Sequence, residues 1–344
     1  MIIRVDPLDI DQQDIKEAAA AIRSGGLVAF PTETVYGLGA NALDPEAVAG
    51  IFRVKKRPLD DPLIVHVSED MDIGRFVSEV PENARRLMDK FWPGPLTVVI
   101  RKTELIPDIV TAGLENVALR MPSNPIARAL IKLAGTPLAA PSANMFSKPS
   151  PTSPSHVISD LGDSIDVIVD GGDTDIGLES TVVGFDGEKV LILRPGGITV
   201  ELIKNAVDSV SVCHGGLKAQ ESPGKYPRHY SPDARVVPIE MGTGQEIRTK
   251  HVADTLRNKG TRFGIMCVSE RASLYKGYDV KVLGSEKDPE GCASRLYGVF
   301  REFDAENYEV IIAEAIPEHG LGLAIMNRIY KAAGPHSEAT PDPA

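Results

Sequence analysis

The chain has 344 residues and a net charge of −11, with 42% hydrophobic and 25% charged residues. This composition is typical of a soluble globular protein and excludes collagen-like, coiled-coil and disordered chains. No apolar run reaches the ~18–20 residues of a membrane span, and the acidic N-terminus lacks a signal-peptide stretch, so we expect a cytoplasmic protein without membrane contact. The acidic balance argues against binding nucleic acid by bulk charge. Three cysteines at long spacings indicate free thiols rather than disulfides or a zinc site.

Short β-rich runs alternate with amphipathic segments over the first 200 residues. Residues 11–24 have helical periodicity, and the pair Asp44-Pro45 is typical of the start of a second helix, which we expect to run to about Lys56. Further helices are predicted at about 81–91 and 123–134. Strands are predicted at 27–30, 63–67, 96–100, 117–121, 167–169, 181–185 and 190–193. The pattern indicates an α/β sheet domain.

Residues 213–232 interrupt this pattern, because they are rich in glycine, proline and polar residues. From Ala234 a second alternation begins, with strands predicted at 234–240, 262–268 and 308–316 and helices at 245–258, 290–304 and 323–333. We therefore expect a first domain over 1–212, a linker over 213–232 that can act as an active-site lid, a small open α/β domain over 233–335 and a disordered tail over 336–344.

Two motifs suggest chemistry that the rest of the sequence does not support. Residues 37–42 fit the glycine pattern of dinucleotide-binding folds, but the basic run 55–57 stands where such a fold needs an acidic residue. The neighbouring Asp60 and Asp61 resemble part of a metal site, and we interpret them as a solvated turn. No phosphate-binding P-loop motif occurs, so neither nucleotide-binding fingerprint applies.

Four cations lie at or near predicted strand ends, where open α/β sheets bind ligands: Lys55, Arg57, Arg120 and Arg194. Residues 139–152 form a loop after an apolar strand and offer many hydroxyl and backbone N–H groups, which suit phosphate or carboxylate. The residues by themselves therefore predict a site for a polyanion, most simply a nucleotide.

Several segments, taken in their order along the chain, indicate a more specific function than a site for a polyanion. They are PTETVYGLGANA, KKRPLDDPLIVHV, WPGPLTVVI, VALRMP, APSANMFSKPSPT, DGG, GLESTVV and LRPG. This series resembles the YrdC-like domain of the threonylcarbamoyl-AMP synthase family, and RHYSP and GLGLAIMNRIYKAA resemble the linker and second domain of its longer members. The resemblance implies a twisted mixed-sheet α/β domain, a linker and a small Rossmann-like open α/β domain.

The resemblance also implies a nucleotidyltransferase reaction. L-threonine, bicarbonate or CO2, and ATP would give threonylcarbamoyl-AMP and pyrophosphate, with Mg²⁺ accompanying the ATP. A partner transferase would then move the threonylcarbamoyl group to the adenosine beside the anticodon of ANN-decoding tRNAs. We expect no covalent enzyme intermediate, because positioning and electrostatics can carry the step.

Site residues follow from the resemblance position by position, and none of them is a metal ligand. The implied catalytic residues are Lys55, Arg57, Arg120, Ser142 and Asn144. The threonine site would comprise Thr32, His66, Arg120, Ala140 and Ser180. The nucleotide site would comprise Lys55, Arg57, Leu59, Asn116, Ser142, Asn144, Ser150, Arg194 and Tyr230.

The linker departs from the family's usual pattern of Pro-Gly-Met-Lys/Arg-Tyr/His-Arg-His-Tyr. This chain has Pro-Gly-Lys-Tyr-Pro-Arg-His-Tyr over 223–230, the same length with three changed residues. Because Arg-His-Tyr is retained, Tyr230 is assigned to the site and Tyr226 is not. Tyr226, Arg228, His229 and Tyr230 together would form the lid that keeps water from the mixed anhydride.

Two other functions remain as alternatives. YrdC-like domains are associated with double-stranded RNA binding, so a non-catalytic RNA-binding module is the second hypothesis. A carbamoyltransferase is the third, because a related domain occurs in hydrogenase-maturation proteins, although those carry zinc-finger segments that this chain lacks. The sequence leaves open the proton acceptor for carbamate formation, direct RNA contact, the oligomeric state and the role of the second domain.

Overall fold

A computed structural model describes residues 1–213, 224 and 226–335 of the chain. These residues divide into two units. The first consists of Met1–Phe146 and the described residues from Ser150 to Gly224, and the second consists of Ser147–Pro149 and the described residues from Tyr226 onward. The predicted tail and most of the predicted linker lie outside the described residues.

In the described part of the first unit, eleven strands form one mixed sheet. The strands are β1 (Ile2–Arg4), β2 (Val28–Phe30), β3 (Gly37–Asn41), β4 (Ile64–His66), β5 (Leu96–Arg101), β6 (Asn116–Arg120), β7 (Leu138–Ala139), β8 (Val167–Asp170), β9 (Thr181–Asp186), β10 (Lys189–Arg194) and β11 (Val210–Val212). Their order in space is β1-β8-β2-β3-β7-β4-β6-β5-β9-β10-β11.

Helices connect these strands and cover parts of both faces. They are α1 (Gln12–Arg23), α2 (Pro45–Lys55), α3 (Glu82–Phe91), α4 (Asp108–Thr111), α5 (Pro125–Ala134), α6 (Pro154–Leu161) and α7 (Val200–Lys204). Helices α1 and α5 pack side chains such as Ile15 and Ile126 against Phe30 and Val169 in one apolar cluster. The main core lies on the other face of the sheet and includes Ile51 of α2.

Helix α2 shows how local sequence sets a functional position. The Asp44 carboxylate accepts hydrogen bonds from the backbone N–H groups of Glu46 and Ala47, and Pro45 occupies the first turn. The helix ends at Lys55, and Lys56 adopts the left-handed conformation with φ +53°. This C-cap turns the chain sharply between Lys55 and Arg57, so both cations lie at the C-terminal end of α2.

Side chains along the central strands alternate between the two faces of the sheet. Val65 and Leu119 belong to the main core, whereas their neighbours Ile64 and Ala118 belong to a smaller apolar cluster on the opposite face. We call this opposite face of β4, β5, β6, β9 and β10 the site face. Its apolar cluster consists of Ile64, Val99, Ala118, Val182, Leu191 and Leu193.

The described part of the second unit is a four-stranded parallel sheet with helices. Its order is β12-β15-β13-β14. The elements are β12 (Arg235–Ile239), α8 (Gln245–Asn258), β13 (Phe263–Cys267), α9 (Ser269–Ala272), β14 (Val280–Val282), α10 (Pro289–Ala305), β15 (Val310–Glu314) and α11 (Gly322–Ala333). This is the open α/β arrangement that the sequence predicted.

The predicted fold class is confirmed, and each predicted strand and helix is present with small shifts at its ends. Five of the described strands were not predicted: β1, β3, β7, β11 and β14. Strand β3 contains the glycine pattern of residues 37–41 and pairs antiparallel with β2, so it does not form a dinucleotide-binding turn. The three cysteines are free, and among the described helices none is long and apolar enough to cross a membrane.

Candidate active site

Polar side chains stand beside the apolar cluster of the site face. His66 and Arg120 are the last residues of β4 and β6 and lie opposite each other in the parallel register, and Thr97 of β5 lies opposite Arg120 on its other side. The alternation of side chains places all three on the same face as Ile64 and Ala118. A row of polar groups therefore crosses three adjacent strands at one end of the apolar cluster of the site face.

Arg120 is buried and faces a buried carboxylate. Its Nη2 lies 2.8 Å from Glu33 Oε1, and the side chains are 4% and 6% exposed. The Nε group donates to the Gly94 carbonyl at 3.4 Å. Neither Glu33 oxygen has a hydrogen-bond partner among the described residues, and neither does Arg120 Nη2, so the pair is a close ionic contact without hydrogen-bond geometry. Buried polar groups left in this state mark a place where a ligand can bind.

His66 is neutral across the physiological range. Burial lowers the pKa of His66 to about 3, and the Arg120 guanidinium contributes to the same shift. Its Nδ1 has no hydrogen-bond partner among the described residues. The ring can therefore offer a ligand a neutral hydrogen bond, and it cannot serve as a second cation beside Arg120.

The lowered pKa of His66 predicts a specific loss of stability in acid. Below about pH 6.5 the unfolded chain binds a proton at His66 that the folded chain does not, so the free energy of unfolding falls by ~1.4 kcal/mol per pH unit, or ~2 kcal/mol by pH 5. Urea unfolding of the wild-type protein and of His66→Gln between pH 7 and pH 5 measures this difference. The exposed His251→Gln variant is the control. Parallel pH profiles for wild type and His66→Gln would contradict the assignment.

Lys55 joins the end of α2 to the loop after β7. Its Nζ donates to the Ser142 carbonyl at 2.6 Å and also to the Asn144 carbonyl. The Phe146 N–H returns a hydrogen bond to the Lys55 carbonyl at 3.0 Å. Burial lowers the pKa of Lys55 well below its ordinary value, and the nearby Arg57 lowers it further. The predicted residues Lys55, Ser142 and Asn144 are thus brought together.

Arg57 is held by the turn that follows it. Its Nη2 lies 2.9 Å from Asp61 Oδ2 and donates to the Pro62 carbonyl at 2.9 Å. The other oxygen, Asp61 Oδ1, accepts a hydrogen bond from the Gly224 N–H at 3.2 Å. The solvated-turn interpretation of Asp61 is wrong, because its side chain is fully buried and is the counter-charge of Arg57. Asp60 is exposed.

A second polar group links Ser180, which directly precedes β9, to Arg194, the last residue of β10. Arg194 donates through Nη2 to the carbonyl and the hydroxyl of Ser180 at 3.0 and 3.2 Å. The Ser180 hydroxyl also shares a hydrogen bond with Thr97 at 2.7 Å, which connects this group to the row at Arg120. Nearby in the chain, the Ser150 hydroxyl donates to Glu179 at 2.5 Å.

The other predicted site residues are placed as follows. The Thr32 hydroxyl donates to the Val35 carbonyl at 2.7 Å and so holds in place the turn that contains Glu33 and precedes β3. The Ala140 N–H donates to the Ile64 carbonyl at 2.9 Å. Leu59 is exposed. Asn116 shares a face with Arg120 but lies at the opposite end of β6, roughly 13 Å away by strand geometry.

Tyr230 belongs to the second unit, where its ring is buried. The rings of Tyr230 and Tyr297 lie 5.9 Å apart between centroids, and the Arg328 guanidinium lies 5.0 Å from the Tyr230 ring. The predicted contact of Tyr230 with nucleotide stays a prediction, as does the lid. Within the first unit, the described linker residue Gly224 does reach Asp61 beside Arg57.

Sequence reasoning missed the residues that partner the predicted cations. Glu33 and Asp61 provide the counter-charges of Arg120 and Arg57, respectively. Thr97 lies opposite Arg120 in the sheet and shares a hydrogen bond with the Ser180 hydroxyl. Each lies inside a segment that carried the family resemblance. The sequence signal that could have identified these residues is their position within PTETVYGLGANA, KKRPLDDPLIVHV and WPGPLTVVI.

Residues 20–196 match the family model described as Telomere recombination, and residues 198–334 match that of the threonylcarbamoyl-AMP synthase C-terminal domain. A threonylcarbamoyl-AMP synthase of Bacillus subtilis is 44% identical over 333 residues, which cover 96% of this chain and 95% of that protein. The chain belongs to the threonylcarbamoyl-AMP synthase family.

Two further members of the family are similar to this chain, one of them a solved structure and the other a shorter protein. The crystal structure of P. abyssi Sua5 complexed with L-threonine superposes with a TM-score of 0.91 at 41% identity and covers 97% of each chain. A threonylcarbamoyl-AMP synthase of Cellvibrio japonicus is 32% identical over 157 residues, which cover 46% of this chain and 83% of that protein. This chain therefore resembles the longer members along almost its whole length and a shorter member over part of it.

Proposed function

We propose that this protein is a threonylcarbamoyl-AMP synthase, which converts L-threonine, bicarbonate or CO2, and ATP to threonylcarbamoyl-AMP and pyrophosphate. The reaction is a nucleotidyl transfer, because the AMP group of ATP moves to the carbamate oxygen. The proposal rests on family membership together with one feature of the site: the buried Glu33, Arg120 and His66 carry polar atoms that have no hydrogen-bond partner within the described part of the chain.

Those three residues match the chemistry of an amino acid. A guanidinium is the usual partner of a carboxylate, a carboxylate is the partner of an ammonium group, and neutral imidazole can bind a hydroxyl. The apolar cluster of the site face lies beside them and can accept a methyl group. We assign the threonine carboxylate to Arg120, and Thr32, His66, Ala140 and Ser180 to the remainder of the amino-acid site.

The nucleotide would lie against the cations at the end of α2. We assign Lys55 and Arg57 to the phosphates, Arg194, Ser142, Asn144 and Ser150 to the nucleotide, and Leu59, Asn116 and Tyr230 to its outer contacts. The buried positions of Lys55 and Arg57 support this assignment, because charge interactions gain strength away from water.

Once the substrates are bound, we expect the protein to contribute to the reaction mainly by holding them in position. A carbamate oxygen attacks the α-phosphorus of ATP, the bond to the β-phosphate oxygen breaks, and pyrophosphate leaves with its charge. Fixed cations around this centre stabilise the transition state. We expect Mg²⁺ to enter with ATP, since Mg²⁺ in nucleotide sites is commonly bound by the phosphate oxygens.

The product implies downstream partners. A mixed anhydride is short-lived in water, so a transferase must take it up and pass the threonylcarbamoyl group to the adenosine beside the anticodon of ANN-decoding tRNAs. We place this reaction in the cytoplasm, which the free cysteines favour. Direct contact with tRNA is part of the proposal only as an accessory property.

A product assay tests the proposal. The protein is incubated with ATP, L-threonine and bicarbonate, and pyrophosphate release is followed together with the mass of the adenylate. We expect pyrophosphate and threonylcarbamoyl-AMP to form in equal amounts and only when threonine is present. A folded protein that binds ATP without turnover and binds RNA in a salt-sensitive manner would instead support the RNA-binding module.

The same assay yields a prediction about substrate selectivity. A site that hydrogen-bonds the threonine hydroxyl should reject valine by ~10⁴-fold or more in kcat/KM, because the analogue leaves buried polar groups unpaired. Serine lacks only a methyl group, so its loss should correspond to ~1–3 kcal/mol, or roughly 10- to 200-fold. Equal turnover of valine and threonine would show that the hydroxyl is not recognised.

A further inference from the structure

Glu33 is a buried carboxylate to which family resemblance gives no role. It lies in the turn between β2 and β3, directly after Thr32. Its backbone is fixed, because the Glu33 carbonyl accepts a hydrogen bond from Ile176 N–H at 2.9 Å. Its side chain is 6% exposed, and neither carboxylate oxygen has a hydrogen-bond partner among the described residues. A carboxylate in this state has its acceptor positions available for a ligand's N–H groups.

Because Glu33 lies beside Arg120, its position indicates which group of the substrate Glu33 would contact. Glu33 Oε1 lies 2.8 Å from Arg120 Nη2. In an α-amino acid the ammonium nitrogen and the carboxylate are bonded to the same carbon. A threonine whose carboxylate binds Arg120 therefore brings its ammonium group to the immediate surroundings of Glu33.

We propose that Glu33 binds the α-ammonium group of threonine and accepts its proton when the carbamate forms. The inference rests on the proposed function and names the proton acceptor of its first step. The ammonium group gives one N–H proton to the Glu33 carboxylate, and the freed nitrogen lone pair forms a C–N bond to CO2. The second proton leaves to water, so RNH3⁺ and CO2 give RNHCOO⁻ and two protons.

Other groups on the same face are poorer acceptors. Arg120 and Arg194 are permanent cations, and the Thr97 and Ser180 hydroxyls already bond to each other at 2.7 Å. His66 lies beside Arg120 in the sheet, where a second positive charge is disfavoured. Glu33 is the group here whose charge is opposite to that of the substrate's ammonium.

Measuring the reaction in both directions separates this role from a structural one. The forward reaction consumes threonine, and it needs the proton acceptor. The reverse reaction starts from threonylcarbamoyl-AMP and pyrophosphate and forms ATP and the carbamate, and this step moves no proton. We would prepare threonylcarbamoyl-AMP with the wild-type protein and follow labelled pyrophosphate into ATP.

The Glu33→Gln variant should lose 10²-fold or more of the forward rate at saturating threonine, a typical contribution of a general base, about 10²–10⁴-fold. Its reverse rate should stay within about fivefold of wild type. Lys55→Met is the control, because loss of a phosphate contact should slow both directions. Glu33→Asp, which keeps a carboxylate at a shorter reach, should lie between Glu33→Gln and wild type in the forward direction.

Two results would overturn the inference while leaving the proposed function intact. One is a Glu33→Gln variant with full forward activity. The other is an equal loss in both directions for Glu33→Gln and Glu33→Asp, which would assign Glu33 to the support of Arg120 alone. A wild-type protein that forms no adenylate would instead overturn the proposed function itself, so the two failures are distinguishable.

Discussion

Replacing Lys55 with methionine should lower kcat/KM for ATP by ~10²–10³-fold, the usual effect of removing one fixed donor from a developing charge. Lys55 is buried at the end of α2 and donates to the Ser142 carbonyl at 2.6 Å, so it can approach the phosphates only from this fixed position. Methionine preserves much of the side-chain volume and removes the charge. Initial rates of pyrophosphate release over a range of ATP concentrations measure the effect.

The adjacent Lys56 offers a matched control. It carries the same charge, is exposed and has φ +53°, a conformation that asparagine accepts well. Lys56→Asn should keep wild-type kinetics within about twofold, since a surface charge of this kind contributes little. If Lys55→Met and Lys56→Asn behaved alike, the phosphates would not be bound at the end of α2.

Replacing Arg120 with glutamine should abolish threonine-dependent turnover and lower the free energy of unfolding by ~3–5 kcal/mol, because it leaves a buried carboxylate without its counter-charge. Adding Glu33→Gln should restore most of that stability while leaving the protein inactive. The double variant removes both charges, and neutral amides of similar volume are far less costly to bury. Urea unfolding of the two single variants and the double variant gives the coupling energy.

An exposed ion pair elsewhere in the first unit provides the control for this result. Arg128 and Glu69 form a two-bond contact at 2.7 and 3.2 Å with side chains that are 36% and 45% exposed. Arg128→Gln should cost ~0–1 kcal/mol. An Arg120→Gln variant as stable as Arg128→Gln would contradict the account of a buried, coupled pair at Arg120.

Local patterns predicted the longer elements of this fold. Helix α2 was found from Asp44 and Pro45 at its start, and strands such as β5 were found from short β-rich runs. The order of strands was not predictable, because β4 pairs with β6 and β7, segments more than fifty residues away in the chain. The missed strands β1, β7, β11 and β14 have only two or three residues, which carry little pattern, and the missed β3 contains two glycines, which are depleted in strands.

The same reason explains which parts of the site were missed. A cation is visible in a sequence as an exception within an apolar run, so Arg120 stood out within the predicted strand 117–121. Its partner Glu33 is an ordinary residue in a turn, and only the folded chain brings it to within 2.8 Å of Arg120. Asp61 was misjudged because two acidic residues beside a proline resemble a surface turn. Its burial depends on Arg57 and Gly224.

A structure of the protein with bound L-threonine tests the central claim most directly. The account predicts that the threonine carboxylate lies within hydrogen-bond distance of Arg120, that the ammonium nitrogen lies within hydrogen-bond distance of Glu33, and that the methyl group faces the apolar cluster of the site face. Threonine bound away from this face, or bound there with its ammonium group directed away from Glu33, would contradict it.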